Sequence, residues 1–135
     1  MTPNGSAPSA AGQSGARVLV VDDDPDLRAL LALAFTDEGY EVRAAPDGRA
    51  ALEILGDWQP RIIVLDLMMP ELDGWGFRNA LLGMPEAAEV PLVVLSAVHT
   101  NRELNGAAAF LPKPFNLEQL LTTVSDILGG FRRSR

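Results

Sequence analysis

The chain of 135 residues contains no cysteine, which excludes disulfide bonds, thiolate metal sites and cysteine nucleophiles. The same absence fits a reducing environment, and we expect a cytoplasmic protein. Only one histidine is present, His99, so a metal site built from several histidines is also excluded. A serine–histidine–acid triad would have to use that single side chain, for which we predict no specific role. The chemistry left to the chain is that of carboxylates and hydroxyl groups.

Long apolar runs and an excess of positive charge are missing as well. No run approaches the roughly 18 apolar residues of a membrane span, and the first residues lack the charge and apolar block of a signal peptide. Eleven basic residues against eighteen acidic ones give a net charge of -7, which repels phosphate backbones. We therefore expect neither a membrane nor a nucleic acid as a direct partner.

The composition divides the chain into three segments. Twelve of the first sixteen residues are Ala, Gly, Ser or Pro, so residues 1–16 are predicted to be a disordered arm. Residues 17–128 show the apolar periodicity of a single domain, and residues 129–135 form a basic tail. The last predicted helix ends about seven residues before the final residue, so we expect no output domain in this chain. It is either a stand-alone protein or a piece of a longer one.

Short apolar strands alternate with amphipathic helices along the predicted domain. Strands are predicted at 18–21, 40–45, 62–65, 92–95 and 108–111; those at 18–21, 62–65 and 92–95 consist of Val, Ile and Leu alone. Helices are predicted after the N-caps Asp24 and Asn116, and over about 49–55 and 74–82. Strands that are apolar on both faces are typical of a parallel sheet covered by helices on both sides. The predicted fold class is therefore α/β, with an open, doubly wound parallel sheet.

Polar residues follow the predicted strands at their carboxyl ends, where such sheets bind ligands. The first strand leads into Asp22 and Asp23, and the third into Asp66. The fourth ends at Ser96, and the fifth leads into Lys113, the only lysine of the chain. Four strands therefore bring carboxylates, a hydroxyl and an ammonium group to one edge of the sheet.

This set of groups suits phosphoryl transfer to a carboxylate. Carboxylates that converge repel each other, and a hard divalent cation such as Mg²⁺ relieves that repulsion. Beside such a metal, Asp66 can act as a nucleophile and accept a phosphoryl group as an aspartyl phosphate. The compact ammonium of Lys113 suits one phosphoryl oxygen, and the Ser96 hydroxyl can bond to another.

Four segments carry a resemblance to a known family. They are Val-Leu-Val-Val-Asp-Asp-Asp-Pro, Leu-Asp-Leu-Met-Met-Pro-Glu-Leu-Asp-Gly, Leu-Ser-Ala and Leu-Pro-Lys-Pro-Phe. In this order and at these strand ends they resemble the receiver domain of bacterial response regulators, over about residues 17–128. The resemblance implies a flavodoxin-like fold of five parallel strands in the order 2-1-3-4-5. It also implies that Asp66 accepts phosphate from a histidine kinase or a histidine phosphotransfer protein.

Further roles are implied by the same resemblance. Asp23, Asp66 and the backbone carbonyl of Met68 would bind Mg²⁺, and Asp22 would act through a metal-bound water. Ser96 and Lys113 would contact the phosphoryl group, and the Lys113–Pro114 bond would be cis. Phe110 and Ser96 would form the conformational switch.

The chain departs from the family pattern at two places. The switch position, here Phe110, is often tyrosine in the family, so a signal that uses that hydroxyl is lost. The stretch between Ser96 and Lys113 is also short, and we expect a shortened or missing fourth helix within residues 97–107. Partner recognition would then shift to the first and last helices or to the loop after Asp66.

The predicted function is that of a phosphoacceptor receiver in a two-component pathway, which changes its binding to a downstream protein target. We expect Mg²⁺-dependent self-phosphorylation and slow self-dephosphorylation, without turnover of an external substrate. A pseudo-receiver without phosphorylation is disfavoured because all five residues of the predicted site are present. A small aspartyl-phosphate hydrolase is disfavoured because Met68 stands where such enzymes carry a second aspartate, two residues after the nucleophile.

Overall fold

The computed structural model describes residues 15–66, 79–80, 83–84, 87–96 and 107–129, with the backbone alone at Ser96. Five strands alternate with helices in these ranges: β1 (Arg17–Val21), β2 (Glu41–Ala45), β3 (Ile62–Asp66), β4 (Leu92–Ser96) and β5 (Ala109–Pro112). The helices are α1 (Pro25–Asp37), α2 (Gly48–Leu55) and α3 (Leu117–Leu128).

All strand pairs are parallel, and the order in the sheet is β2-β1-β3-β4-β5. The predicted doubly wound α/β fold and its 2-1-3-4-5 order are therefore confirmed. The two central strands, β1 and β3, run in register, with Val21 beside Leu65. They are buried on both faces except at Arg17, which explains why their sequences are continuous rather than alternating apolar runs.

Two hydrophobic clusters cover the two faces of the sheet. Alternate strand residues, including Leu19 and Leu65, pack with α2 and with Trp58 on one face. The intervening residues pack against Leu31 and Phe35 of α1 on the other face, and against the inner residues of α3, which are Leu120, Val124 and Leu128. The period-2 alternation of strand side chains thus divides one apolar run between two cores.

The helices begin at the predicted side-chain caps. The Asp24 carboxylate accepts hydrogen bonds from the backbone N–H groups of Asp26 and Leu27, and Asn116 caps α3 by accepting from Gln119. Gly39, predicted to end α1, has a φ of 101°, a left-handed conformation that favours glycine.

Some predictions differ from the structure or lie outside the described residues. Gly15 and Ala16, assigned to the predicted arm, are hydrogen-bonded to Gly39 and Glu41, and Ala16 is buried in the core, while residues 1–14 lie outside the described residues. Of the third predicted helix, Asn79 and Ala80 are described, and both are helical. The shortened fourth helix, within 97–107, lies outside the described residues apart from Ala107. In the part of the chain that the structure describes, no helix has the length and apolar character needed to span a bilayer.

Candidate functional site

Neighbouring strands bring the predicted acidic residues together at one edge of the sheet. Asp22 directly follows β1 and Asp66 is the last residue of β3. Because β1 and β3 are adjacent and parallel, with Val21 beside Leu65, their carboxyl ends lie next to each other. The backbone thus places these two acids side by side, although 44 positions separate them in the sequence.

Asp22, Asp23 and Asp66 form an acidic triad. One carboxylate oxygen from each lies within 4.8 Å of the others. Asp22 and Asp66 are buried, whereas Asp23 is exposed. The triad therefore has two acids in the protein interior and one at its surface, which leaves the group open to solvent on one side.

The environment of Asp22 is the most unusual in the triad. Its Oδ1 accepts a hydrogen bond from the backbone N–H of Asp24 at 2.9 Å, while its Oδ2 is buried without a hydrogen-bond partner among the described residues. Burial raises the pKa of Asp22 to about 6, and the nearby charges of Asp66 and Asp23 also raise it. The Asp24 N–H and the Lys113 ammonium lower that pKa, but they do not offset burial.

Lys113 forms an ion pair with one carboxylate of the triad. Its Nζ lies 3.2 Å from Oδ2 of Asp66, and the pair is largely enclosed, with Lys113 one quarter exposed. The Lys113–Pro114 peptide bond is cis, as predicted. Two acids of the triad, Asp22 and Asp23, have no ion-pair partner in the described chain.

The triad fits a hard divalent cation. Three carboxylates against one ammonium leave an excess of negative charge in a partly buried place, and the buried oxygen Oδ2 of Asp22 lacks a partner. Mg²⁺ binds oxygen ligands of this kind and offsets such an excess of charge. The donor atoms present therefore match the predicted metal.

The remaining predicted residues are placed as follows. Ser96 ends β4, where its backbone lies beside Pro112, and its side chain is not described. Phe110 lies on β5, is partly buried, and packs against the cluster on the α2 face of the sheet. Met68 and His99 lie outside the described residues.

Arg28 is a site residue that sequence reasoning did not single out. Its Nη1 donates a hydrogen bond of 2.8 Å to the backbone carbonyl of Asp22, which ties α1 to the end of β1. The one available signal was that Arg28 is the only basic residue of α1. A single basic residue on a helix is more often a solvated surface group, so this signal alone did not identify it.

Comparisons with known proteins agree with this geometry. Residues 18–125 match the family described as response regulator receiver domain. The chain is 39% identical over 117 residues to "Response regulator MprA" of Mycolicibacterium vanbaalenii, covering 83% of this chain and 50% of that protein. It is 36% identical over 118 residues to "Probable transcriptional regulator ycf27" of Porphyridium aerugineum, covering 83% of this chain and 48% of that one. The chain thus spans about half the length of the curated relatives it matches.

Solved structures show the same likeness. The chemotaxis protein CheY4 of Vibrio cholerae superposes with a TM-score of 0.79 at 32% identity, over 84% of this chain and 99% of that one. The response regulator TrrA of Thermotoga maritima, crystallised in complex with Mg²⁺-BeF, superposes with a TM-score of 0.72 at 28% identity, over 83% and 98% of the two chains. The family match extends over most of the chain and includes the strands that carry the triad and Lys113. The chain belongs to the family of response regulator receiver domains, the phosphorylation modules of two-component signalling.

Proposed function

We propose that Asp66 accepts a phosphoryl group from a histidine kinase or a histidine phosphotransfer protein, and that its phosphorylation changes binding to a downstream protein. The observation that carries this proposal is the meeting of Asp66 with Lys113 at 3.2 Å and with two further carboxylates within 4.8 Å. Residues 17–128 are the proposed receiver domain, flanked by the arm and the basic tail, and its proposed location is the cytoplasm.

The proposed reaction is a single displacement at phosphorus. A carboxylate oxygen of Asp66 forms the new O–P bond while the N–P bond to the donor imidazole breaks, and the imidazole nitrogen retains the electron pair. The Lys113 ammonium, already at Asp66, is placed to offset the charge on one phosphoryl oxygen. The Ser96 hydroxyl is proposed to contact another phosphoryl oxygen and, with Phe110, to form the switch.

Asp22, Asp23, Asp66 and the backbone carbonyl of Met68 are the proposed holders of Mg²⁺, with Asp22 acting through a water molecule. When bound, the ion supplies positive charge that stabilises the negative oxygens of the transferring group. Asp22 is held for this task by the N–H of Asp24 at its carboxylate and by Arg28 at its backbone carbonyl. The proposed chemistry is confined to self-phosphorylation and slow self-dephosphorylation, with no external substrate turned over.

We further propose that the phosphodonor protein docks on α1 beside the triad. A groove of about 520 Å³ runs along α1 next to Lys113; it is lined by Asp24, Leu27, Leu30, Lys113, Pro114, Phe115 and Leu117. Leu30 and Leu33 of α1 are 48% and 61% exposed, and no other large hydrophobic residue of the described chain is as exposed. A donor histidine that reaches Asp66 must bring its own protein surface over the residues around Lys113, so this apolar groove is the natural contact.

The test of the phosphoacceptor is intact-mass measurement after treatment with a small phosphodonor and Mg²⁺. The chain is expected to gain one stable phosphoryl group, and Asp66→Asn is expected to gain none while it keeps its circular dichroism spectrum. Asp37→Asn, at an exposed position at the end of α1, removes the same charge and should be labelled like the unaltered chain. A full adduct on Asp66→Asn would move the site elsewhere, and continuous turnover of a phosphomonoester would indicate a hydrolase.

The docking surface has a separate test. Leu30→Arg should slow transfer from a histidine phosphotransfer protein and leave labelling by a small phosphodonor unchanged, because the small donor needs no protein contact. Equal slowing with both donors would show that the substitution damages the reaction centre rather than the docking surface.

A further inference from the structure

A second polar cluster surrounds Trp58 and does not include the acidic triad. Trp58, which follows α2, is buried to 4% exposure against the α2 face of the sheet. The guanidinium carbons of Arg17 and Arg43 lie 5.4 and 4.9 Å from the centroid of its ring system, within the range of cation–π contact. Arg17 begins β1 whereas Asp22 follows the end of β1, so about five residues of extended strand, roughly 17 Å, separate the backbone of Arg17 from that of Asp22. Arg43 lies beside Leu19, in the middle of the same span.

The charges of this cluster are not balanced within the described chain. Glu41 accepts hydrogen bonds from Nε of Arg17 at 3.3 Å and from Nε1 of Trp58 at 3.4 Å. Arg43 makes no ion pair with any described residue. Asp57, which directly precedes Trp58 in the sequence, forms no ion pair with Arg17 or Arg43. One of the two guanidinium groups, that of Arg17, thus has a carboxylate partner among the described residues and the other has none, in a chain whose net charge is -7.

Arg17 already has two side-chain contacts before any ligand arrives. Arg17 is fixed at Nε by Glu41 and lies over the indole ring, while its two terminal nitrogens make no hydrogen bond with the described residues. A cavity of about 550 Å³ opens beside it, lined by Arg17, Leu55, Gly56, Asp57, Trp58 and Gln59. A guanidinium that has already lost its freedom binds a carboxylate at a lower entropic cost.

The geometry points to a binding site for an extended acidic segment of a partner protein, with its carboxylates on Arg17 and Arg43. Both guanidinium carbons contact one ring, so they lie no more than about 10 Å apart. Side chains at i and i+2 of an extended segment are about 7 Å apart, which lies within that limit. Arg43 lies on β2, the edge strand of the sheet, where such a segment has access from the side. This site is independent of phosphorylation at Asp66.

The test uses the full chain and the NMR signal of the Trp58 indole N–H, with a blocked peptide of sequence Ala-Glu-Ala-Glu-Ala as the probe. The peptide should shift that signal in a saturable way, and Arg43→Gln should weaken binding by about fivefold, as expected for loss of a partly exposed charge pair. Arg49→Gln, on the exposed side of α2, changes the net charge equally and should bind like the unaltered chain.

The proposal would be overturned if the acidic peptide gave no saturable shift. It would also be overturned if Arg49→Gln weakened binding as much as Arg43→Gln, or if the matched Ala-Gln-Ala-Gln-Ala peptide bound equally well. If inorganic phosphate bound as tightly as the acidic peptide, the site would be one for a free anion rather than for a protein segment, and the proposed partner would be wrong. Labelling of Asp66 by a small phosphodonor, measured on the same Arg43→Gln sample, should be unchanged. The peptide-binding proposal and the phosphoacceptor proposal can therefore fail independently of each other.

Discussion

At the scale of single residues, two buried carboxylates at neighbouring strand ends have different surroundings. Asp66 has the ammonium of Lys113 at 3.2 Å, whereas Asp22 has one oxygen bonded to a backbone N–H and the other without a partner among the described residues. The ammonium beside Asp66 is a compact charge that suits one oxygen of an incoming phosphoryl group. A buried oxygen without a partner is instead available to a ligand. This difference supports Asp66 as the acceptor and Asp22 as a metal-site residue.

Tyr40 offers a prediction at the same scale, because it is the only tyrosine of the chain. Burial raises the pKa of Tyr40 above its ordinary value of 10.0, the Ser125 hydroxyl lowers that pKa, and the charge of Glu38 raises it. Titration by near-ultraviolet absorbance should therefore give a midpoint above 10.0 in the folded chain. Ser125→Ala should move the midpoint higher, and Glu38→Gln should move it lower.

The sign of the effect on stability follows from the same shift. The folded state keeps the Tyr40 proton to a higher pH than the unfolded state does, so it binds more protons above pH 10.0. The free energy of unfolding should be insensitive to Tyr40 below that pH and should fall as the pH rises above it. A Tyr40→Phe variant should lose this part of the pH dependence; an identical alkaline decline in both proteins would contradict the assignment.

At the scale of secondary-structure elements, α1 has two apolar faces with different tasks. Leu31 and Phe35 are fully buried against the sheet, whereas Leu30 and Leu33 point away from it and remain exposed. A helix of a one-domain protein needs only the inner stripe for its stability. The outer leucines are therefore free to serve recognition, and this is the part of the helix that we assign to the phosphodonor.

Two substitutions in α1 separate these tasks. Leu31→Ala should reduce the free energy of unfolding by about 2–5 kcal/mol, because it removes buried atoms and leaves a cavity. Leu33→Ala should change it by no more than about 0.5 kcal/mol, because its side chain is largely in solvent. Urea unfolding of the two variants checks the difference; equal losses would show that the outer face of α1 is covered in solution.

At the scale of the whole molecule, charged side chains gather in two places. The carboxyl ends of the strands carry the acidic triad, and Arg17 and Arg43 lie over Trp58 at the start of β1 and in the middle of β2. The negative end contains two carboxylates without an ion-pair partner in the described chain, so the molecule carries an electrostatic cost there that bound cations would relieve.

Mg²⁺ should therefore raise the thermal unfolding midpoint by mass action, since the proposed metal site exists in the folded chain and not in the unfolded one. At a concentration about 100 times its dissociation constant, the ion adds about 2.7 kcal/mol, which corresponds to several degrees. Calorimetry with Mg²⁺ or EDTA measures the shift, which should be lost in Asp23→Asn and kept in Asp37→Asn. An identical midpoint in Mg²⁺ and EDTA would contradict a metal site at the triad.

Much of the fold was predictable because its signals are local. The apolar runs at Val18 and Ile62, the caps Asp24 and Asn116, and Gly39 each act within a few residues of chain, and each has its predicted role. The contacts of Gly15 and Ala16 with Gly39 and Glu41 were not predictable in this way, because the local composition of a segment does not reveal a partner that is more than twenty positions away.

The residues at the strand ends could be read from the apolar runs of the sequence. Because parallel strands all end at the same side of a sheet, it followed that Asp22, Asp66 and Lys113 share one edge. Which of those acids Lys113 contacts is seen only in the folded chain, because both Asp22 and Asp66 are 47 or more positions away from Lys113 in the sequence. The tertiary structure also decided the bond from Arg28 to the Asp22 carbonyl and the convergence of Arg17 and Arg43 on Trp58. These contacts depend on the distance between side chains of different elements, a quantity that the periodicity within one element does not contain.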